Sequence, residues 1–213
     1  MARQEHDYYP TPLDCALAIT KRVAEVIPPK RFVYEPSAGL MAPFVKSSRL
    51  YFPTAIITAI DTQAAAKQPC LQAGAHGFFH EDYFHYLQVE GGFMDQSLII
   101  GNPPFSLAKE FILSTLDVLP VGSHLAFLLN IRILAGLERA KRLWSRRNLL
   151  AWFPLAQRPP FIKNSNDNSD YGVFIWEGGY QGNGPTLPPL IWKPEKLKQP
   201  KKMTQEKAKK PTP

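Results

Sequence analysis

The chain has 213 residues, 45% hydrophobic and 12% aromatic, which excludes an intrinsically disordered protein and suits a domain with a real core. Its formal charge of +7 is unevenly placed: residues 193–213 hold eight lysines and two glutamates and carry +6, so residues 1–192 carry only +1. The most apolar run, HLAFLLNIRILAGL, is broken by Asn130 and Arg132 and is too short to span a bilayer, which argues against a membrane-spanning protein.

From the amino end, MARQEHDYYPTP has no apolar core of the kind a signal peptide carries, so a cytoplasmic, non-secreted protein is expected. TPLDCALAITKRVAEVI predicts a helix with Leu13, Ala16, Leu17, Thr20, Ala24 and Ile27 on one face. Thr11, Pro12 and Asp14 form a suitable helix start. RFVYE, TAIITAID and SLIIG read as buried parallel strands. SLAKEFILSTLDVL then sets Ala108, Phe111, Ile112, Leu116 and Leu119 on one helical face. SHLAFLLNI predicts a strand, AGLERAKRLWSRR a basic amphipathic helix, Pro154 to Asp170 a long polar loop and YGVFIWE a late strand. Strands alternating with helices predict an α/β domain over residues 1–192 with a mainly parallel sheet. Residues 193–213, rich in Pro, Lys and Gln, predict a disordered basic tail able to hold nucleic acid through phosphates, or a solubilising terminus.

Ligands of such sheets bind at the carboxyl ends of the strands, near the switch in strand order. Three acids fall in sequence order where strand ends are expected: Glu35 in VYEPSAGL, Asp61 in ITAIDT and Asp82 in HEDYF. Taken singly each acid is more often a helix cap, but three at the spacing of a βα unit suggest a nucleoside-bearing ligand. Neither the Gly-rich dinucleotide loop nor the Walker pattern is present, which favours a cofactor with a ribose and no phosphate. After the third predicted strand the chain leaves the sheet through Asn102-Pro103-Pro104-Phe105. Two prolines fix two φ angles and remove two donors, so the turn is rigid and rich in acceptors.

In this order the segments resemble the amino-group S-adenosylmethionine (SAM)-dependent methyltransferases, above all the bacterial and phage N6-adenine DNA methyltransferases. YYPTP (Tyr9, Thr11, Pro12) resembles the family segment that touches the methionine end of the cofactor, and EPSAG (Glu35, Pro36, Ser37, Ala38, Gly39) its first cofactor loop. Asp61 is similar to the ribose-binding acid and Asp82 to the acid contacting the cofactor's adenine. Asn102 to Phe105 resembles the catalytic turn; RPPF (Arg158 to Phe161), followed by YGVFIW, resembles the late segment that closes over the target base. The resemblance covers about residues 8 to 177. It implies a Rossmann-like fold with a seven-stranded, mainly parallel sheet, SAM as cofactor, and adenine-containing DNA as substrate.

The implied chemistry explains the residue types. The lone pair of an exocyclic amine is delocalised into its ring, so the nitrogen is a poor nucleophile. The Asn102 side-chain oxygen and a carbonyl of the Pro-Pro turn would accept its two hydrogens and return the lone pair. Phe105 would stack on a flipped base, with Phe161 as a second wall or as a core residue beneath the loop. Arg158 and the run Arg139, Lys141, Arg142, Arg146 and Arg147 are candidates for phosphates, though such a run is more often a solvated helix face. His76, His80 and His85 have no zinc spacing, and no metal is expected. Cys15 and Cys70 read as reduced, small apolar residues.

The chain departs from the family at Met41, where the first loop normally has a second glycine, and has an extra residue before Phe44. Nor does a separate target-recognition domain follow the late strand, so recognition is expected to be short, loose, or delegated to a partner or second copy. Alternatives are methylation of an RNA base or a protein glutamine, or a nucleic-acid-binding homologue without catalysis.

Overall fold

Apolar side chains alternate between two faces in each central strand, and this alternation builds a sheet buried on both sides. Leu98 and Ile100 face one layer of helices and Ile99 the other. The structure, a computed structural model, describes residues 9–146, 148–161 and 169–182. Arg147 and the tail 193–213 lie outside the described residues.

In chain order the elements are α1 (Leu13–Val26), β1 (Phe32–Glu35), α2 (Pro43–Tyr51), β2 (Ile56–Asp61), α3 (Lys67–Gln72), β3 (Gly77–His80), α4 (Tyr83–Glu90), β4 (Ser97–Gly101), α5 (Ala108–Val118), β5 (His124–Asn130), α6 (Leu137–Arg142), β6 (Leu149–Pro154) and β7 (Tyr171–Glu177). The strands form one seven-stranded sheet in the order β3-β2-β1-β4-β5-β7-β6. The pairs β3/β2, β2/β1, β1/β4 and β4/β5 are parallel, and β7 runs antiparallel to both β5 and β6. The strand order therefore reverses between β1 and β4, which opens a crevice at their carboxyl ends. Helices α1 and α2 cover one face of the sheet; α4 and α5 cover the other, with Trp144 after α6. Among the described residues no helix is long and apolar enough to cross a membrane.

Helix α1 differs from expectation in its rotation. Its buried side chains are Ala16, Ile19, Thr20 and Val23, while Leu13 is 43% exposed. Within that face the hydroxyls of Thr20 and Ser47 share a hydrogen bond of 2.7 Å that joins α1 to α2. The start of α1 differs too. Pro12 occupies the N-cap without a side-chain cap, and Asp14 accepts from its neighbour Cys15. The basic segment after Gly136 is a shorter helix than expected, α6, followed by a tight turn at Trp144–Arg146. Leu143 and Trp144 are buried there, which ends the exposed face.

Candidate active site

Glu35 ends β1 and is 1% exposed. It accepts from the backbone amides of Phe44 and Val45 in the first turn of α2, but its Oε2 is buried without a partner among the described residues. Burial pushes this carboxyl well above the usual carboxylate range, against those two amides and with a further rise from the charge of Asp61. The chain then turns through Pro36, Ser37, Ala38 and Gly39, the last at φ 63°, a left-handed conformation that glycine adopts at no steric cost. Met41 is 57% exposed. The second left-handed residue is Ala42 (φ 43°), one position later, where it sets the start of α2.

Asp61 ends β2 and is 6% exposed. Its Oδ2 accepts from the Gly39 amide and its Oδ1 from the Gln63 amide, both at 2.8 Å. Each carboxylate oxygen retains capacity for a second donor. Asp82 follows β3 and caps α4, its Oδ1 accepting from Phe84 at 2.9 Å and His85 at 3.2 Å.

The Asn102 turn leaves β4 between these loops. The Asn102 Nδ2 donates to the Tyr9 carbonyl at 3.0 Å and to Thr11 Oγ1 at 3.2 Å. Its Oδ1 is buried and has no partner among the described residues. The backbone carbonyl of Asn102 accepts from Ser37 Oγ at 3.2 Å, and that of Pro104 from the Leu107 amide at 2.9 Å. Among the described residues no donor reaches the Pro103 carbonyl between them.

These elements enclose a cleft of about 860 Å³. Tyr9, Thr11, Glu35, Pro36 to Gly39, Asp61, Asp82, Asn102 and Pro104 line it, together with Met41. Pro12, Pro103, Phe105, Arg158 and Phe161 do not. Phe105 instead stacks on Tyr9 (centroids 5.0 Å, 28°) and meets Phe161 edge-on at 5.9 Å and Tyr171 at 5.5 Å. Phe161 is 7% exposed within this aromatic group. Arg158 is exposed and pairs with Asp170 at 2.9 Å. The three histidines point to separate partners: His76 accepts from the Ile57 amide, His80 lies 3.0 Å from the Thr62 carbonyl, and His85 lies 3.1 Å from Glu81. Among the described residues no three His, Cys, Asp or Glu side chains gather as metal ligands.

Sequence reasoning missed the α2 amides that hold Glu35 and the Gln63 amide that holds Asp61. A proline at the first helical position, Pro43, was the available signal for the former.

The sheet has a single reversed strand, β7, which runs antiparallel to both neighbours. The fold is that of the class I SAM-dependent methyltransferases. The chain is similar to the methyltransferase subunit of a type I restriction-modification system from Streptococcus thermophilus (TM-score 0.63, 15% identity, 84% of this chain and 47% of that one). It is similar also to a Listeria monocytogenes protein assigned to the class I SAM-dependent methyltransferases (TM-score 0.65, 15% identity, 87% and 65%). A third similar structure is the O-methyltransferase TomG of Streptomyces achromogenes in complex with SAM (TM-score 0.56, 10% identity, 80% and 82%). The chain thus spans less than two-thirds of the first two relatives, and at these identities the likeness is one of fold alone. No family model matches the chain, and no curated protein matches it in sequence.

Proposed function

We propose that the protein is a SAM-dependent methyltransferase that modifies the N6 amino group of adenine in DNA. The observation that carries this reading is the Asn102 amide: its nitrogen is engaged twice, its oxygen is buried without a partner among the described residues, and the residue lines the cleft. A buried acceptor without a donor carries a cost of about 1–3 kcal/mol, so such an atom suits a donor that arrives with a ligand.

The cleft fits the cofactor on the same ground. The orphaned Oε2 of Glu35 suits an ammonium group, and the remaining lone pairs of Asp61 suit a pair of ribose hydroxyls. Asp82 also lines the cleft, and among the described residues its hydrogen bonds go to Oδ1 alone. SAM, when bound, supplies a methyl group already activated on a sulfonium centre. The protein's own work is then positioning. Asn102 Oδ1 and a backbone carbonyl of the Pro-Pro turn accept the two amino hydrogens, drawing the nitrogen toward tetrahedral geometry and restoring its lone pair. Both acceptors are fixed beforehand, by the bonds to Nδ2 and by the two prolines, so no reorganisation is needed when the amine arrives. Phe105, packed with Tyr9, Phe161 and Tyr171 outside the cleft lining, would have to turn out of that group to stack on a flipped base. DNA as the substrate is supported by the Tyr9-Pro10-Thr11-Pro12 and Arg158-to-Phe161 segments and by the fold shared with a restriction-modification methyltransferase subunit.

The test is incubation with methyl-deuterated SAM and separate duplex DNA, single-stranded DNA and RNA, followed by mass spectrometry of the nucleosides. Labelled N6-methyladenine from DNA, lost in Asn102→Ala, is expected. Label in RNA would preserve the chemistry and change the substrate. Absence of label from every nucleic acid, with the wild type folded and binding SAM, would overturn the reading.

A further inference from the structure

The amide of Asn102 can face the cleft in two ways, related by a flip that exchanges oxygen and nitrogen. Only one of them presents an acceptor. The two groups behind it are not equivalent in deciding which. Thr11 Oγ1 is a hydroxyl, able to donate or accept, and would tolerate either orientation. The Tyr9 carbonyl can only accept, so it binds Nδ2 and repels Oδ1. A flip would set oxygen against oxygen at Tyr9 and would place the NH₂ group where Oδ1 now lies, buried without an acceptor.

The sequence explains how two acceptors from the amino-terminal segment are held 93 and 91 residues away from Asn102 along the chain. Tyr9 precedes Pro10 and Thr11 precedes Pro12, so both are kept out of the helical region. Pro12 is itself extended at φ −58°, ψ 143°, so α1 begins only after it. Thr11 is 4% exposed, which confines its hydroxyl to this one place, and instead of capping the helix it meets Asn102. On the other side of the turn the Ser37 hydroxyl donates to the Asn102 carbonyl, so backbone and side chain are restrained from opposite segments.

We propose that Tyr9-Pro10-Thr11-Pro12 is a positioning element for Asn102. The Tyr9 carbonyl selects the end of the amide that faces the cleft, and the Thr11 hydroxyl anchors that choice. The assignment builds on the reading of Asn102 as an acceptor, and gives Thr11 a role other than holding the cofactor.

The experiment compares Thr11→Val and Thr11→Ser, with Thr11→Ala in place of the valine variant if that one does not fold. In ¹⁵N-labelled protein the side-chain NH₂ signals of Asn102 are identified by their loss in Asn102→Asp. Removal of the hydroxyl is expected to shift these signals and speed their exchange with water by about tenfold, while serine preserves them. Unchanged signals in a folded Thr11→Val or Thr11→Ala protein would overturn the proposal. Where methyl transfer is measured, the hydroxyl-free variant is expected to lower kcat by roughly tenfold or more at a cofactor KM within about twofold of wild type, with serine restoring kcat. A raised cofactor KM with unchanged kcat would make Thr11 a cofactor contact and overturn the proposal. If the wild type transfers no methyl group, the functional reading falls, and the Asn102 signals alone decide the positioning role.

Discussion

The backbone amide of Gly39 donates to Oδ2 of Asp61 at 2.8 Å, which ties the loop after β1 to the end of β2. The other carboxylate oxygen takes the Gln63 amide, so one buried side chain organises two loops that line the cleft. Asp61→Asn places an NH₂ group against one of these two N–H donors whichever way it turns. A loss of about 1–3 kcal/mol in stability is expected, together with weaker cofactor binding. Urea unfolding of the two proteins checks the first, and calorimetric titration with SAM the second. A variant as stable as wild type would show that the loops hold their shape without the carboxylate.

His124, at the base of β5, is 2% exposed, and its Nδ1 has no partner among the described residues. Burial lowers its pKa to about 4 from the ordinary 6.5; the Lys30 charge pushes the same way and a backbone bond at Gly122 opposes it. Between those two values the unfolded chain binds a proton that the folded protein refuses. Its contribution to stability is therefore complete above pH 6.5 and is lost as pH falls toward 4. His124→Leu is expected to flatten the fall of melting temperature across that window. Parallel curves for the two proteins would exclude His124 as the cause.

How much of this was legible in sequence depended on where each residue lies in the sheet. Strands β1, β2, β4, β5 and β7 are continuous apolar runs because they are buried on both faces. Of the two edge strands, β6 was missed and β3 was expected only as a strand end before Asp82. In β3, Gly77–His80 is short and half exposed, and β6 is mostly half exposed, so neither shows a long apolar run. Glu35, Asp61 and the Asn102 turn could be found because each directly follows a readable strand. Asp82 follows an unreadable one, and its neighbours revealed only an acid in the right order. The contact between Thr11 and Asn102 could not be found, because a residue that begins a helix in sequence is equally suited to cap it. Only the tertiary fold shows that its hydroxyl turns away from the helix.

The tail offers a prediction that depends on charge alone. Deletion of residues 194–213 removes seven lysines and two glutamates. Affinity for duplex DNA is expected to fall, and the plot of log affinity against log salt to become shallower, by about 0.9 for each phosphate that the tail had neutralised. Fluorescence anisotropy with a labelled duplex at several salt concentrations measures the slope. An unchanged slope would exclude the tail from DNA binding.

Glu35 combines a stability cost with a binding role. Its folded pKa is raised well above the usual 4.5, chiefly by burial, so the folded protein holds a proton that the unfolded chain releases as pH rises. The contribution of Glu35 is thus most favourable below pH 4.5 and is lost as pH rises above it. Glu35→Gln keeps a neutral acceptor for the Phe44 and Val45 amides and cannot ionise. The variant is expected to gain melting temperature over wild type at neutral pH, and the gain should grow with pH. The same change removes the negative charge that we assign to the cofactor's ammonium group. Charged hydrogen bonds contribute about 1.5–3 kcal/mol, so SAM affinity is expected to drop by roughly tenfold or more. A bound ammonium also favours the ionised carboxyl, so wild-type affinity should rise with pH through the titration of Glu35, and the variant's should not. Melting curves and calorimetry on both proteins, from pH 5 to pH 8, separate the two effects. Reduced stability with unchanged SAM affinity would mean that Glu35 serves only to hold α2 against β1.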